Sequence, residues 1–183
     1  MIEGDLTLIP YVQYRGGWSL SDQQIQDIFT KMAKQGLATK VFYGEEINTS
    51  YEFMLMAKQS GNVMSTIWVG DVCVSVAWLN QFGPNYASAH FCHFKEVWGH
   101  RTLECGEMFM GYWFDMEDGD DSPLFDVLLG QIAATNTRAV EYTRRLGWTV
   151  LGTIPRMGHG KDINKRCGDT IVYIEREAYH GKA

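Results

Sequence analysis

The stretch from Asn136 to Trp148 constrains the fold more than any other part of the chain. The Asn136 side chain can accept a hydrogen bond from the free N–H groups of a first helical turn. Gly147 supplies the left-handed residue that ends such a helix. Ala139, Val140, Thr143 and Leu146 recur at helical spacing on one face, while Arg138, Glu141, Arg144 and Arg145 fall on the others. The segment therefore predicts a capped helix of about three turns. One face packs on a sheet, and the glycine delivers the chain into a strand at Trp148.

Similar punctuation organises the rest. Leu6–Gln13 alternates apolar residues around Pro10, as an edge strand does. Ser21-Asp22 caps a helix whose stripe is Ile25, Ile28, Phe29 and Met32, ending at Gly36. Thr49 and Glu52 form a capping box for a second helix that carries Phe53, Met54 and Ala57 and runs to Ser60. Val63–Val69 and Val72–Leu79, joined by Gly70-Asp71, predict a hairpin, with Val72, Val74, Val76 and Trp78 on one face. Tyr86–Phe94 follows as a third strand. Arg101–Met116 predicts a helix with Leu103, Gly106, Met110 and Trp113 inward and Glu104, Glu107, Gly111 and Asp115 toward water. The apolar run Leu124–Ile132 predicts a strand buried on both faces. Strands at Trp148–Ile154 and Thr170–Glu175 complete the order. The crossover from Tyr86–Phe94 through a helix to Leu124–Ile132 should be parallel and right-handed. The expected architecture is a single α/β (α+β) domain over residues 1–183, a mixed, mostly antiparallel sheet flanked by helices.

Charge and composition exclude several functions. A net charge of −6 with no basic run argues against nucleic-acid binding, which needs cations to displace counterions. No apolar run approaches the roughly 18 residues that span a bilayer, so no membrane association is expected. Cys73, Cys92, Cys105 and Cys167 lack paired spacing, which favours reduced thiols and a cytoplasmic location. The acidic Glu117–Asp121 segment lacks a cation-loop spacing. His90, Cys92, His93 and His100 do not make a metal site either, because strand alternation places Cys92 and His93 on opposite faces.

The element order and the Asn136 segment together resemble the GCN5-related N-acetyltransferases (GNAT), which carry Asn-x-x-Ala and a later Gly-Phe near their C-terminal end. That resemblance covers nearly the whole chain. It implies acetyl-coenzyme A (acetyl-CoA) as cosubstrate and an amine as acceptor, either a small molecule or a protein amino group. It also implies that the central strand and the strand after the crossover helix splay apart to admit the pantetheine arm near His93. The diphosphate would rest at the start of the crossover helix, on Trp98, Gly99, His100, Arg101, Thr102 and Leu103, with Asn136 capping the helix beside the cofactor. Trp98-Gly99-His100-Arg101 resembles the Trp-Gly-Lys-Gly of ribosomal-protein acetyltransferases.

Departures from the family pattern are equally legible. Arg101 and Leu103 stand where small residues let the backbone approach phosphates. Arg101 could instead bind the diphosphate as a forked donor. Many relatives place a tyrosine seven residues after the capping Asn to protonate the thiolate; here Thr143 holds that place, with Tyr142 one step earlier. His90, His93 and Glu96 are candidate bases, and the catalytic roles are expected of Glu96, Tyr142 and Thr143. The polar loop Gly158–Gly168 would border the acceptor groove. The same departures support an alternative, a catalytically inactive binding or assembly module on this scaffold, and phage-borne members of the superfamily resemble the chain in that respect. A homodimer is common for such a fold, and the acceptor stays open at this point.

Overall fold

The structure, a computed structural model, describes residues 2–43, 47–157 and 167–181. Its helices start where the caps stand. The Ser21 hydroxyl accepts from the Gln24 N–H at 3.2 Å and Gln24 Oε1 accepts from the Ser21 N–H at 2.9 Å, opening α1 (Asp22–Lys34). After a short α2 (Ala38–Val41), Thr49 and Glu52 exchange the same pair of bonds to open α3 (Ser50–Lys58). Ile25, Ile28, Phe29 and Met32 of α1 and Phe53, Met54 and Ala57 of α3 are buried, as their spacing predicts.

Seven strands form one sheet. In chain order they are β1 (Thr7–Pro10), β4 (Val63–Val69), β5 (Val72–Asn80), β6 (Tyr86–His93), β7 (Val127–Ala133), β8 (Thr149–Ile154) and β9 (Asp169–Glu175). The spatial order is β1-β4-β5-β6-β7-β9-β8, and β6 with β7 is the parallel pair. Pro10 thus sits on an edge strand, where its missing N–H costs no ladder bond. β2 (Gln13–Tyr14) and β3 (Gly17–Trp18) make a separate small hairpin that the sequence did not announce. The crossover from β6 to β7 carries α4 (His100–Phe114), preceded by a 3₁₀ turn at Lys95–Val97. α5 (Thr137–Arg145) joins β7 to β8, and a short α6 (Arg176–His180) ends the described chain.

Helices cover both faces. α1 and α3 pack one side with Val76, Trp78, Cys92 and Phe94; α4, Leu146 and Trp148 pack the other with Val74, Ala77, Leu79 and Leu128. Three expectations about faces are corrected. A bulge pairs Ile67 with Ser75 and Trp68 with Cys73, leaving Val74 extra. The added residue flips the alternation, so Val74 joins the α4 face while Val76 and Trp78 join the other, and Val72 is exposed. β7 alternates buried Leu128 and Gly130 with half-buried Val127, Leu129 and Gln131, so it is not buried on both faces, and it begins at Val127 rather than Leu124. Gly111 does not face water: a Cβ there would meet the Tyr179 hydroxyl of α6 at 3.0 Å.

The decisive feature is where the sheet stops being a sheet. β6 and β7 pair through only three residues, Tyr86–Ser88 against Val127–Leu129. Beyond them Ala89–His93 stays with β5, and Gly130–Ala133 stays with β9. An aromatic wedge stands at the divergence: Phe91 meets Tyr142 and Trp148 edge-on, with centroids 6.0 and 6.1 Å apart. Trp148 leans on Gly130, where a Cβ would lie 3.5 Å from the indole.

Candidate active site

The divergence opens a cleft of about 540 Å³ that both strands, α2, the start of α4 and α5 line. Phe94 N–H bonds back to Val74 and Ala134 N–H to Gly168, which fixes the phase of both ladders. By alternation, the peptide groups of Ala89 and Phe91 on β6, and of Gln131 and Ala133 on β7, therefore face into the split without a strand to pair them. An extended, amide-bearing chain entering here would find unmade ladder bonds on each side.

At one end of the cleft lies the start of α4. Gly99 precedes the helix with φ 111° and ψ −140°, a conformation that essentially only glycine adopts, and it offers no side-chain cap. The first N–H groups of this 15-residue helix point outward with the positive end of its dipole. Nothing lies within 4 Å of a Cβ built on Gly99, so there is room for an anion to come close. Thr102 and Leu103 line the cleft here, with the Thr102 hydroxyl donating to Val97 O at 2.8 Å. Trp98 is 43 % exposed and forms the rim; its indole N–H donates to His93 O at 3.0 Å. That bond occupies one main-chain acceptor that the resemblance had reserved for pantetheine.

The expected phosphate ligands divide. Trp98, Gly99, Thr102 and Leu103 border the cleft, whereas the Arg101 guanidinium turns away and donates to Ile2 O and Gly4 O at 2.8 and 2.7 Å. Arg101 thus ties the N-terminal segment to α4 rather than reaching over the cleft. His100 is exposed beside Glu104, 3.8 Å away. Asn136 lines the cleft and caps α5, accepting from the Ala139 N–H at 3.4 Å.

The catalytic candidates divide too. Glu96 forms an ion pair with Lys31 at 2.9 Å and accepts from Gln35 at 3.1 Å, both on α1. Burial pushes its carboxyl up, but the Lys31 and Gln35 hydrogen bonds outweigh that and hold it below the usual range. It stands outside the cleft as a fixed carboxylate. The Thr143 hydroxyl is buried and spent on Val140 O at 2.9 Å. Tyr142, which sequence placed beside the catalytic position, turns inward to a polar chain that sequence reasoning missed. Ser75 donates to Cys92 O, so it accepts from His93 Nδ1 at 2.7 Å; His93 Nε2 then accepts from the Tyr142 hydroxyl, also at 2.7 Å. Burial drives His93 down to about 3 and the Tyr142 phenol well above 10, so both are neutral at physiological pH. His90 lies on the opposite face of β6, stacked on Trp78 with centroids 5.1 Å apart, its Nε2 2.9 Å from Asn80 Oδ1. Burial lowers it to about 4.

Three further polar residues went unnoticed in the sequence. Tyr43, at the end of α2, and Gln131, on β7, line the cleft opposite α5, and Gln131 donates to the carboxylate of Asp169 at the head of β9. Their only sequence signal is a polar residue inside an apolar strand at 131. The loop 158–168 lies outside the described residues except for Cys167 and Gly168. Among the described residues no cluster of His, Cys, Asp or Glu is placed to hold a metal, and no helix is long and apolar enough to cross a membrane.

Solved structures share this overall architecture. Spermidine N-acetyltransferase of Vibrio cholerae, in complex with coenzyme A and spermine, superposes with a TM-score of 0.73 over 96% of this chain and 98% of its own. The fold is that of the GCN5-related N-acetyltransferases. Sequence identity to the spermidine enzyme is 12%. RimL, a ribosomal L7/L12 α-N-protein acetyltransferase bound to coenzyme A, matches at 0.64 with 11% identity, over 87% of this chain and 92% of its own. No family model matches the sequence, and no curated protein does. At such identities the likeness establishes the GNAT scaffold, mixed sheet and flanking helices included.

Proposed function

We propose that the chain is an acyl-CoA-dependent N-acyltransferase that moves an acetyl group from acetyl-CoA directly to an amine. The observation that carries this reading is the three-residue limit on β6–β7 pairing, which leaves the peptide groups near Phe91 and Gln131 open beside an uncapped α4. Solved structures of the same fold that hold coenzyme A support it. In this reading the backbone from Gly99 to Leu103 takes the diphosphate through free N–H groups, and Trp98 and Asn136 close the two sides.

Bound in the split, acetyl-CoA supplies the acetyl group as a thioester. The chain's contribution is chiefly to hold the acceptor against it, since positioning supplies much of such a rate. The amine nitrogen must arrive unprotonated; its new C–N bond forms as the C–S bond breaks, and the thiolate takes up a proton. Tyr142 is the side chain proposed to give that proton. Its hydroxyl points to His93 in the resting protein, and rotation about the Cζ–O bond redirects it without moving the ring. Neutral His93 holds the ring in place and cannot itself supply a proton. The amine's lost proton restores the phenol.

Titration of the protein with acetyl-CoA, by calorimetry or thermal shift, tests the reading. Saturable binding is expected, and Gly99→Trp should weaken it at least tenfold. No binding at millimolar ligand would remove the transferase and leave the inactive module on the same scaffold.

A further inference from the structure

Asp169 is a carboxylate that the described residues satisfy only in part. It is fully buried, with 0% exposure, at the first residue of β9. Gln131 Nε2 donates to its Oδ2, whereas Oδ1 has no hydrogen-bond partner among the described residues. No described cation forms an ion pair with it; Lys40, which lines the same cleft, does not reach it within ion-pair distance. Tyr43 lies alongside: burial first, then the Asp169 charge and hydrogen bond, push its phenol well up, yet Oδ1 stays unsatisfied. A buried carboxylate with an empty lone pair carries a large desolvation penalty that only a cation or a set of donors offsets. An unsatisfied group of this kind calls for an explanation, and a ligand that completes it is one.

Its position says which ligand. Gln131 bonds the carboxylate and lines the cleft together with Tyr43, so Asp169 lies one side chain behind the wall. That wall belongs to the α1–α2 face. Strand alternation puts Gln131 and Asp169 opposite Gly130 and Val172, which face α4 and α5. The Gly99 end and the Tyr142 chain are therefore across the sheet from it, and an acceptor approaching from this side would meet the carboxylate before the reacting end. Resting on the acyl-transfer reading above, we propose that Asp169, with Gln131 and Tyr43, anchors a second cationic nitrogen of the acceptor. The acceptor class is then a small dicationic amine, one nitrogen held as ammonium on Asp169 Oδ1 and another presented for acetylation. Entry requires the Gln131 side chain to shift from the path, after which the ammonium donates to the open Oδ1.

The test compares 1,4-diaminobutane with butylamine, following acetyl-CoA-dependent thiol release by the intact chain. The diamine should be used with at least tenfold higher kcat/KM. Asp169→Asn should erase that advantage through KM, so that the diamine and butylamine are used alike. The same variant without ligand should melt at or above the wild-type temperature, because it removes a buried carboxylate that the described residues satisfy only in part. Equal use of both amines by the wild type, or an Asp169→Asn protein that melts lower yet keeps the diamine preference, overturns the proposal. Thermal stabilisation by the diamine alone is a readout separate from acetyl-CoA. If wild type shows it and Asp169→Asn does not, the anchor stands even where acetyl-CoA fails to bind. If acetyl-CoA binds but the diamine neither stabilises nor is preferred, the anchor falls and the transferase reading remains.

Discussion

Gly106→Ala separates helix propensity from packing at the centre of the site. Gly106 is buried in the middle of α4, where alanine should gain about 1 kcal/mol of backbone preference. A Cβ at that point, however, runs into the Tyr142 hydroxyl and lies 2.6 Å from Leu146 Cδ1. Leu146 closes α5 and has little freedom at 4% exposure. Tyr142 is pinned by its 2.7 Å bond to His93 and by edge-on contacts with Phe91 and His93. Overpacking of this kind costs about 1–3 kcal/mol. Displacing the hydroxyl also strands His93 Nε2 and the phenol in a buried place, for roughly 1–3 kcal/mol more. The clash outweighs propensity, and a net loss of about 1–5 kcal/mol is expected. For a chain of this length that lowers Tm by roughly 2–20 °C. Urea denaturation of Gly106→Ala measures it. The double variant with Tyr142→Phe tests the cause, because removing the hydroxyl should recover part of the loss. A Gly106→Ala protein as stable as wild type, or more so, would refute the packing of α5 on α4 and with it the geometry of the Ser75–His93–Tyr142 chain.

Stability should fall in mild acid. His90 and His93 are held at about 4 and about 3 against an ordinary 6.5, so the unfolded chain binds protons below pH 6.5 that the folded chain refuses until pH 3 to 4. The folded state is thus fully favoured above pH 6.5 and loses up to about 2 kcal/mol per histidine by pH 5; urea midpoints at pH 7.5 and 5 check this, and equal midpoints would contradict the burial of both rings. Replacing His93 by Gln should flatten about half of that slope. Tyr142→Phe should lower kcat about 100-fold with little change in the KM for acetyl-CoA if the hydroxyl protonates the thiolate. A loss under tenfold would leave catalysis to positioning alone.

What the sequence exposes here is local, and what it hides depends on register. Caps and periods at Ser21, Thr49 and Asn136 need only neighbours within a turn, and each helix begins where its cap predicts. Val74 could not be placed the same way, because one extra residue opposite Ile67 and Trp68 reverses every face after it, and a bulge leaves no fixed composition mark. The place of Arg101 at a helix start suggests an anion ligand. Its partners are the carbonyls of Ile2 and Gly4, nearly a hundred positions away, which no spacing rule connects to it. Tyr142 shows the finer limit. A step of one residue turns a helix by about 100°, enough to take a hydroxyl from the position the resemblance marks, held by Thr143, to a pocket against Gly106 and His93.

Asp169 shows the same limit with the most consequence for function. Beside Gly168 it looks like any polar residue at a strand's edge, and it becomes a buried, half-satisfied carboxylate only because β9 pairs Asp169 with Ala133 across the strand that carries Gln131. A chain can announce its scaffold through caps and periodicity, since those are set by the backbone's own hydrogen bonds. It announces acceptor choice poorly, because that choice resides in which polar groups tertiary pairing leaves unmatched. Unmatched groups beside the cleft, rather than matches to a family pattern, are therefore where the specificity of this protein should be sought.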